Sequence, residues 1–374
     1  MTVILILLEL LLSFTALVCG LYAVATLLER KSRFATRALI SSVIAVVLVI
    51  AALICTWFFP KGNMPAGDTQ TLTPNNAGAT TSTTVTTAST TQMTTKTSTA
   101  SNSGEMLVNI PIEGDDAANS LATLNQLCKD YGNTLSFYYR DLETGYSIEF
   151  RADRAYQSAS VIKAPYIKYL LASGVDGSQT LTLAASDKQG GSGVVDKEPA
   201  GTVFTVNQLM ENAIRYSDNT AYYMLNKKFG FAGFNEYAKT LGITANANNN
   251  CVLSYPRPRF GYLSARDIGL YMQDIAKYLE TGSDGAQRLK TWMTSTAEER
   301  QLVDAYRGKY TVAHKYGDTK NIEWAFHDGA IVYADKPFVL AVATSLEPFT
   351  DESIKVYHAL AECIDVIHTA YHTP

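Results

Sequence analysis

The sequence Ser160-Val-Ile-Lys163 opens an apolar segment that runs to Ala172, and this stretch decides the interpretation of the 374-residue chain. Residues three apart on a helix lie on one face, so the two polar heads can meet. Ser160 near the helix start would also place its own N–H and the positive end of the helix dipole beside a developing oxyanion. Burial and a second cation would make Lys163 a usable base. The motif predicts a serine nucleophile with a lysine base, although such a string also arises by chance about once in a chain of this length.

A second motif, Ser217-Asp218-Asn219, follows between two predicted helices. In a turn, the first and third side chains project to the same side. The Ser217 hydroxyl would then relay a proton between Lys163 and a leaving group, and the Asn219 amide would both donate to and accept from a peptide-like substrate. The alternative is a simple helix N-cap, because Ser, Asp and Asn are favoured in that position.

The third motif, Lys315-Tyr316-Gly317, lies on a predicted strand. A strand edge here would pair with an extended substrate, and Lys315 would attract its carboxylate. Gly317 permits close backbone approach, and the N–H of Asp318 would be the second oxyanion donor. The three motifs together predict an acyl-transfer site without histidine.

Two apolar segments, Met1–Leu28 and Ala38–Phe59, are each long enough to cross a bilayer, which takes ~20 residues. The basic loop 29–37 between them predicts a cytoplasmic loop with both chain ends outside. A cleaved signal peptide is the alternative for the first segment, but that segment lacks a basic start. We therefore expect a transmembrane hairpin anchor (1–61), a disordered Thr/Ser-rich linker (62–104) and an extracellular domain (105–374), at a plasma membrane of the Gram-positive type.

Composition excludes several classes of function. The formal net charge is −4, so we predict no nucleic-acid partner. The cysteines of the outer domain show no paired metal-ligand spacing, and we predict neither a metal nor a cofactor. Cys128 and Cys363 fall on the first and last predicted helices, so a disulfide between them is the alternative to isolated thiols.

Periodicity predicts an α+β fold, an α/β sandwich. An antiparallel sheet of about five strands, built from both ends of the domain, would cover a helical middle. The predicted strands are 134–140, 145–151, 310–315, 326–334 and 338–345. The predicted helices are 117–131, 158–172, 206–216, 220–229, 234–241, 265–279, 286–294 and 352–371.

In order and spacing, the three motifs resemble those of the class A β-lactamase and penicillin-binding-protein superfamily, over roughly Ala118 to Ile367. The resemblance implies a β-lactamase/transpeptidase-like fold. It implies that Ser160 is acylated, that Lys163 is the general base and that Ser217 relays the proton. Asn219, Lys315, Tyr316, Gly317 and Asp318 would bind a β-lactam or a peptidoglycan-like peptide.

Two departures from that pattern affect function. The family usually has Thr or Ser where Tyr316 stands, and tyrosine moves the hydroxyl outward. Residues 244–264, where class A enzymes carry a deacylating glutamate, contain no Asp or Glu. The usual auxiliary arginine is also missing, which leaves His327 or Arg259 as candidates for binding a carboxylate.

Three functions remain open at this level. The first is a membrane-anchored serine hydrolase that forms a Ser160 acyl-enzyme with a β-lactam, D-peptide, amide or ester and deacylates slowly. The second is a non-catalytic or sensory domain that binds cell wall or β-lactam. The third is a membrane scaffold in which the motifs only pack, and the complete Ser-Lys-Ser-Asn-Lys set argues against it.

Overall fold

The structure is a computed structural model and describes residues 104–243, 261–320 and 323–373. The predicted hairpin anchor and nearly all of the linker lie outside the described residues, as does Arg259. Across the described ranges, no helix combines the length and the hydropathy that crossing a bilayer requires. The proposed domain boundaries therefore stay predictions.

A six-stranded sheet organises the domain. Its strands are β1 (Met106–Asn109), β2 (Leu135–Asp141), β3 (Ser147–Phe150), β8 (Thr311–Thr319), β9 (Ala325–Tyr333) and β10 (Phe338–Thr344). They lie in the order β1-β3-β2-β10-β9-β8, and every neighbouring pair is antiparallel. Strand β10 pairs with β2 over its whole length, from Phe338 opposite Asp141 to Thr344 opposite Leu135, and so joins the two ends of the domain. The sequence predicted about five strands; it missed β1, which is short and mostly exposed.

Alternation along the strands separates two apolar layers. In β10, Val339 and Ala341 face one core with the central helices, whereas Leu340 and Val342 face the other. Helices α1 (Gly114–Asp130) and α9 (Asp351–His372) cover the second face. The sheet is therefore packed between helices on both sides, and the predicted mixed α/β architecture is confirmed.

The middle of the chain supplies the remaining helices and two small strand pairs. The helices are α2 (Lys163–Ala172), α3 (Val206–Arg215), α4 (Asn219–Phe229), α5 (Ala232–Thr240), α6 (Ala265–Glu280), α7 (Asp284–Met293) and the short α8 (Leu302–Ala305). Strand β4 (Ala155–Gln157) pairs with β7 (Tyr262–Ser264), and β5 (Thr180–Thr182) pairs with β6 (Val203–Thr205). Side-chain caps begin α3 at Thr205 and α6 at Ser264.

Two predicted boundaries beside the motifs are wrong. The strand expected at 310–315 extends to Thr319. The segment expected to be α-helical from residue 158 starts as a 3₁₀ turn, Ala159–Ile162, and the α-helix begins only at Lys163. A 3₁₀ turn is tighter than an α-helix and is common at helix starts. Ser160 therefore lies in a turn between β4 and α2, directly against the sheet.

Candidate active site

Ser160 lies in a constrained turn. Ala159, immediately before it, has a φ of 46°, a left-handed conformation that is uncommon for alanine. Such strain costs of order ~1–3 kcal/mol and persists where the surroundings impose it, as at functional sites. Ser160 itself is 8% exposed. Within the described ranges, its hydroxyl makes no hydrogen bond of its own.

Lys163 is fully buried and points at the second motif. Its Nζ donates to the main-chain oxygen of Ser217 at 2.5 Å and to Asn219 Oδ1 at 2.8 Å, and lies 3.4 Å from Ser217 Oγ. Burial, followed by the charge of Lys315, holds the pKa of Lys163 well below its usual value. A neutral amine has two N–H donors, which these two oxygens can accept, and one lone pair, which can take the proton of a serine hydroxyl.

The Ser-Asp-Asn motif forms the helix cap that was one of the two interpretations of the sequence, and it also contacts Lys163. Asp218 caps α4, since its Oδ1 accepts from the Ala221 N–H at 2.8 Å. Its Oδ2 accepts from the N–H groups of Val194 and Val195 at 2.6 and 2.7 Å. The helix cap therefore also holds the adjacent loop, while Ser217, with a φ of 51°, presents its oxygens to Lys163.

Asn219 connects Lys163 to the loop around Gly190–Val195. While its Oδ1 accepts from Lys163, its Nδ2 donates to the main-chain oxygen of Gly190 at 3.1 Å. Because Asn219 is only partly buried, its amide lies at the edge of the site, where a substrate amide can compete for these bonds. The substrate-binding role of Asn219 stays a prediction.

Lys315 and Tyr316 lie next to this cluster on β8. Lys315 is fully buried, and its Nζ lies 3.6 Å from the centre of the Tyr316 ring and 2.9 Å from the Tyr316 main-chain oxygen. Burial lowers the pKa of Lys315 to about 7, against the opposing charges of Asp328, Asp318 and Glu298. The cation is therefore held by a ring face and a carbonyl, and its protonation changes near neutral pH.

The Tyr316 hydroxyl is not directed outward as the sequence suggested. Tyr316 is 7% exposed, and burial raises the pKa of its hydroxyl, followed by the charges of Asp318 and Glu298. The Ser217 side chain opposes that rise as a hydrogen-bonding neighbour. Tyr316 thus places its ring against Lys315 and its hydroxyl beside the Ser217 side chain.

Gly317 brings β8 against the nucleophile. A Cβ at this position would lie 2.7 Å from the Ser160 nitrogen and 2.8 Å from the Val161 nitrogen, so only glycine fits. The following residue, Asp318, lies close enough to both lysines for their charges to oppose the burial that raises the pKa of its carboxyl. Gly317 therefore brings the backbone of β8 directly against the turn that carries Ser160.

The carboxylate-binding role suggested for His327 is wrong. His327 is fully buried, its Nε2 lies 2.9 Å from the Gln157 main-chain oxygen, and its Nδ1 accepts from the Thr344 N–H at 3.1 Å. Burial also lowers its pKa to about 4, so the ring is neutral. His327 fastens β9 to β4 and β10, and it is not available to substrate.

Sequence reasoning missed the loop that closes the other side of the site. Gly190, Gly191 and Gly193 all have positive φ values, and a Cβ at Gly193 would collide with Asp218 at 2.3 Å. The glycine cluster at 190–193 was a visible signal for such a close approach. Tyr222 was also missed; its ring centre lies 5.6 Å from Lys163 Nζ.

Comparison with known proteins identifies the family of the chain. Residues 119–365 match the profile of the Beta-lactamase enzyme family, and the chain belongs to that family. The ROB-1 β-lactamase of Haemophilus influenzae is 33% identical over 124 residues, which cover 32% of this chain and 39% of the relative. A β-lactamase of Mycobacterium tuberculosis is 31% identical over 139 residues, covering 36% of this chain and 44% of the relative. The chain thus spans less than half the length of these curated relatives.

Solved structures share the fold over much longer stretches. A PBP-A mutant, solved as an acyl-enzyme complex with penicillin G, superimposes with a TM-score of 0.57 at 21% identity, covering 66% of this chain and 95% of that one. A β-lactamase from Sphaerobacter thermophilus also gives 0.57, at 18% identity over 69% of this chain and 98% of its own. These similarities confirm the predicted β-lactamase/transpeptidase-like fold.

Proposed function

We propose that the chain is a serine acyl-transfer enzyme of the β-lactamase-like type, in which Ser160 is the acylated residue. The observation that carries the proposal is the position of Lys163, which is buried and hydrogen-bonded to Ser217 and Asn219. Burial, followed by the charge of Lys315, lowers the pKa of its amine. A lysine whose charged form is disfavoured by burial is a poor partner for an ion pair, but its amine can accept a proton.

In the proposed acylation, Lys163 takes the Ser160 hydroxyl proton as the serine oxygen attacks the substrate carbonyl carbon. The carbonyl oxygen becomes an oxyanion that accepts from the N–H groups of Ser160 and Asp318. Ser217 then donates its proton to the leaving nitrogen or oxygen and recovers one from Lys163. The C–N or C–O bond breaks and leaves an ester on Ser160.

Substrate selection in this account depends on charge. Lys315, with its pKa of about 7, attracts a substrate carboxylate in its protonated form. Asn219 reads the amide of the acyl donor at the edge of the site. A β-lactam and a D-peptide both carry such a carboxylate and amide, and we propose them as the substrate class.

The acyl-enzyme should be long-lived. Hydrolysis of the ester needs a base to activate water, and residues 244–264 contain no Asp or Glu. This observation also favours a second candidate, a cell-wall or β-lactam sensor whose signal is the persistent adduct. In both cases we propose that the two apolar segments and the Thr/Ser-rich linker tether the domain outside the plasma membrane.

Intact-mass spectrometry of the full-length chain after incubation with penicillin G tests this proposal. A stoichiometric adduct in the parent chain, absent in Ser160→Ala, is the expected result. A parent chain that neither forms an adduct nor hydrolyses penicillin or a D-alanyl ester would contradict it.

A further inference from the structure

Three potential metal ligands lie close together where β2 ends. Asp141 ends β2, and His368 and His372 lie one turn apart on α9. One ligand atom from each of the three lies within 4.8 Å of the others. The side chains of Asp141 and His368 are 0% and 3% exposed, whereas that of His372 is 16% exposed. A carboxylate and two imidazoles therefore meet at a point that solvent can reach.

Hydrogen bonds to the main chain fix the orientation of His368 and Asp141, as is common for metal-binding side chains. His368 Nε2 lies 2.9 Å from the Lys336 main-chain oxygen. A carbonyl only accepts, so Nε2 carries the proton and Nδ1 keeps its lone pair, which accepts from the Tyr139 hydroxyl at 2.7 Å. Asp141 Oδ2 lies 3.6 Å from the same nitrogen. Histidine ligands commonly donate their other N–H in this way. Asp141 Oδ1 accepts from the N–H groups of Glu143 and Thr144, both at 2.8 Å, which leaves Oδ2 for the cluster.

The spacing suits a tetrahedral ion. Ligand bonds of ~2.0–2.1 Å place tetrahedral ligand atoms roughly 3.3 Å apart. The Asp141–His368 separation of 3.6 Å is close to this, while His372 Nε2 now lies at 2.5 Å, a hydrogen-bond distance, from Asp141 Oδ2. His372 is the last residue of α9, and a small outward shift would exchange its proton for an ion. The Tyr139 hydroxyl, 2.7 Å from His368 Nδ1, competes for the same lone pair.

We propose that Asp141, His368 and His372 bind a divalent transition-metal ion of the zinc type, with water as the fourth ligand. Two imidazoles and one carboxylate favour zinc over magnesium or calcium, which prefer oxygen ligands. The ion would join α9 to the end of β2. No metal was predicted from the sequence because Asp141 is distant along the chain from His368 and His372, which it meets only in the fold.

The test is a zinc titration of the untagged full-length chain after removal of metal by a chelator. We expect one equivalent to bind, and at about 100 times the Kd the Tm should rise by roughly 5–10 °C. His372→Gln should weaken zinc binding at least about tenfold. The matched control is His358→Gln on the same helix, because His358 faces a single carboxylate, Asp304, at 3.1 Å; this variant should bind like the parent.

A second variant keeps the proposal falsifiable if His372→Gln is unstable. Tyr139→Phe removes the competing donor, so its zinc affinity should equal or exceed that of the parent. Cobalt in place of zinc should give the visible absorption of a tetrahedral site in both proteins. Absence of stoichiometric binding in the parent, or unchanged affinity in a folded His372→Gln variant, would overturn the proposal.

Discussion

Lys163 Nζ donates to the main-chain oxygen of Ser217 at 2.5 Å, and so joins the first motif to the second in the interior of the domain. The bond holds the amine beside the relay hydroxyl while burial and Lys315 disfavour its charge. The proposed catalysis by Lys163 depends on that combination, because an exposed lysine at its ordinary pKa of ~10.4 is protonated and is a poor base.

Replacing Lys163 by methionine should therefore slow acylation of Ser160 by ~10²–10⁴-fold, the usual contribution of general base catalysis. Adduct formation with penicillin G, followed by quenched-flow mass spectrometry, measures the rate. Lys168→Met is the matched control, since Lys168 lies on the same helix but pairs with Asp274 at 2.5 Å. Equal rates for Lys163→Met and the parent chain would remove Lys163 from the mechanism.

Charges around Lys163 should move the pH dependence of acylation in opposite directions. Lys315 lowers the pKa of Lys163 and Asp318 raises it. In Lys315→Met the base therefore keeps its proton to higher pH, and the onset of acylation should shift to higher pH. In Asp318→Asn the onset should shift to lower pH, while the main-chain N–H is retained. Acylation by an ester without a carboxylate isolates this effect from binding, and shifts in the same direction would contradict it.

Carboxylate recognition should weaken as pH rises through about 7, the pKa to which burial lowers Lys315. Below that pH Lys315 is a cation, and above it the attraction for the substrate carboxylate is lost. The pH profile of the second-order acylation rate reports groups of the free enzyme, so penicillin G should show this descending limb. The carboxylate-free ester should not. A profile that is identical for the two acyl donors would exclude Lys315 as the carboxylate-binding group.

Asp218 should be critical for stability. Its buried carboxylate accepts three main-chain N–H groups, from Val194, Val195 and Ala221, and Asp218→Ala leaves all three without it. We expect a loss of about 3–4 kcal/mol in the free energy of unfolding, measured in urea. Asp218→Asn keeps one acceptor oxygen and should lose roughly half as much.

Asp176→Ala is the comparison for Asp218, because exposed Asp176 accepts only local bonds from Ser178. Its effect on unfolding should be much smaller than that of Asp218→Ala. If the two alanine variants unfolded alike, the Asp218 bonds would not be what holds the loop around Gly190–Val195 to α4.

The sequence predicted the parts of this site that are local. A serine and a lysine three residues apart, a capped turn and a glycine on a strand are short-range patterns, and the structure gathers all of them around Lys163. Residues whose roles depend on distant neighbours were missed or misjudged. His327 lies on a strand beside the site, but its ring is fixed by Gln157 and Thr344. Strand β1 was missed because three of its four residues are exposed, whereas the equally short β3 is buried throughout.

Contacts between side chains that are distant along the chain could not be predicted from the sequence either. The sequence drew attention to the hydroxyl of Tyr316, whereas the structure places its ring centre 3.6 Å from Lys315 Nζ. Cys128 and Cys363 were candidates for a disulfide, yet both are free buried thiols, and burial raises their pKa values to about 12 and about 11. Spacing along the chain does not determine which buried groups meet.

The lifetime of the Ser160 adduct tests the central claim most directly. The full-length chain is acylated with penicillin G, the free drug is removed, and intact mass is followed over hours. We predict an adduct on Ser160, located by peptide mapping, that forms readily and decays far more slowly than it forms. An adduct on another residue, or fast hydrolysis of penicillin without an accumulating adduct, would contradict the account.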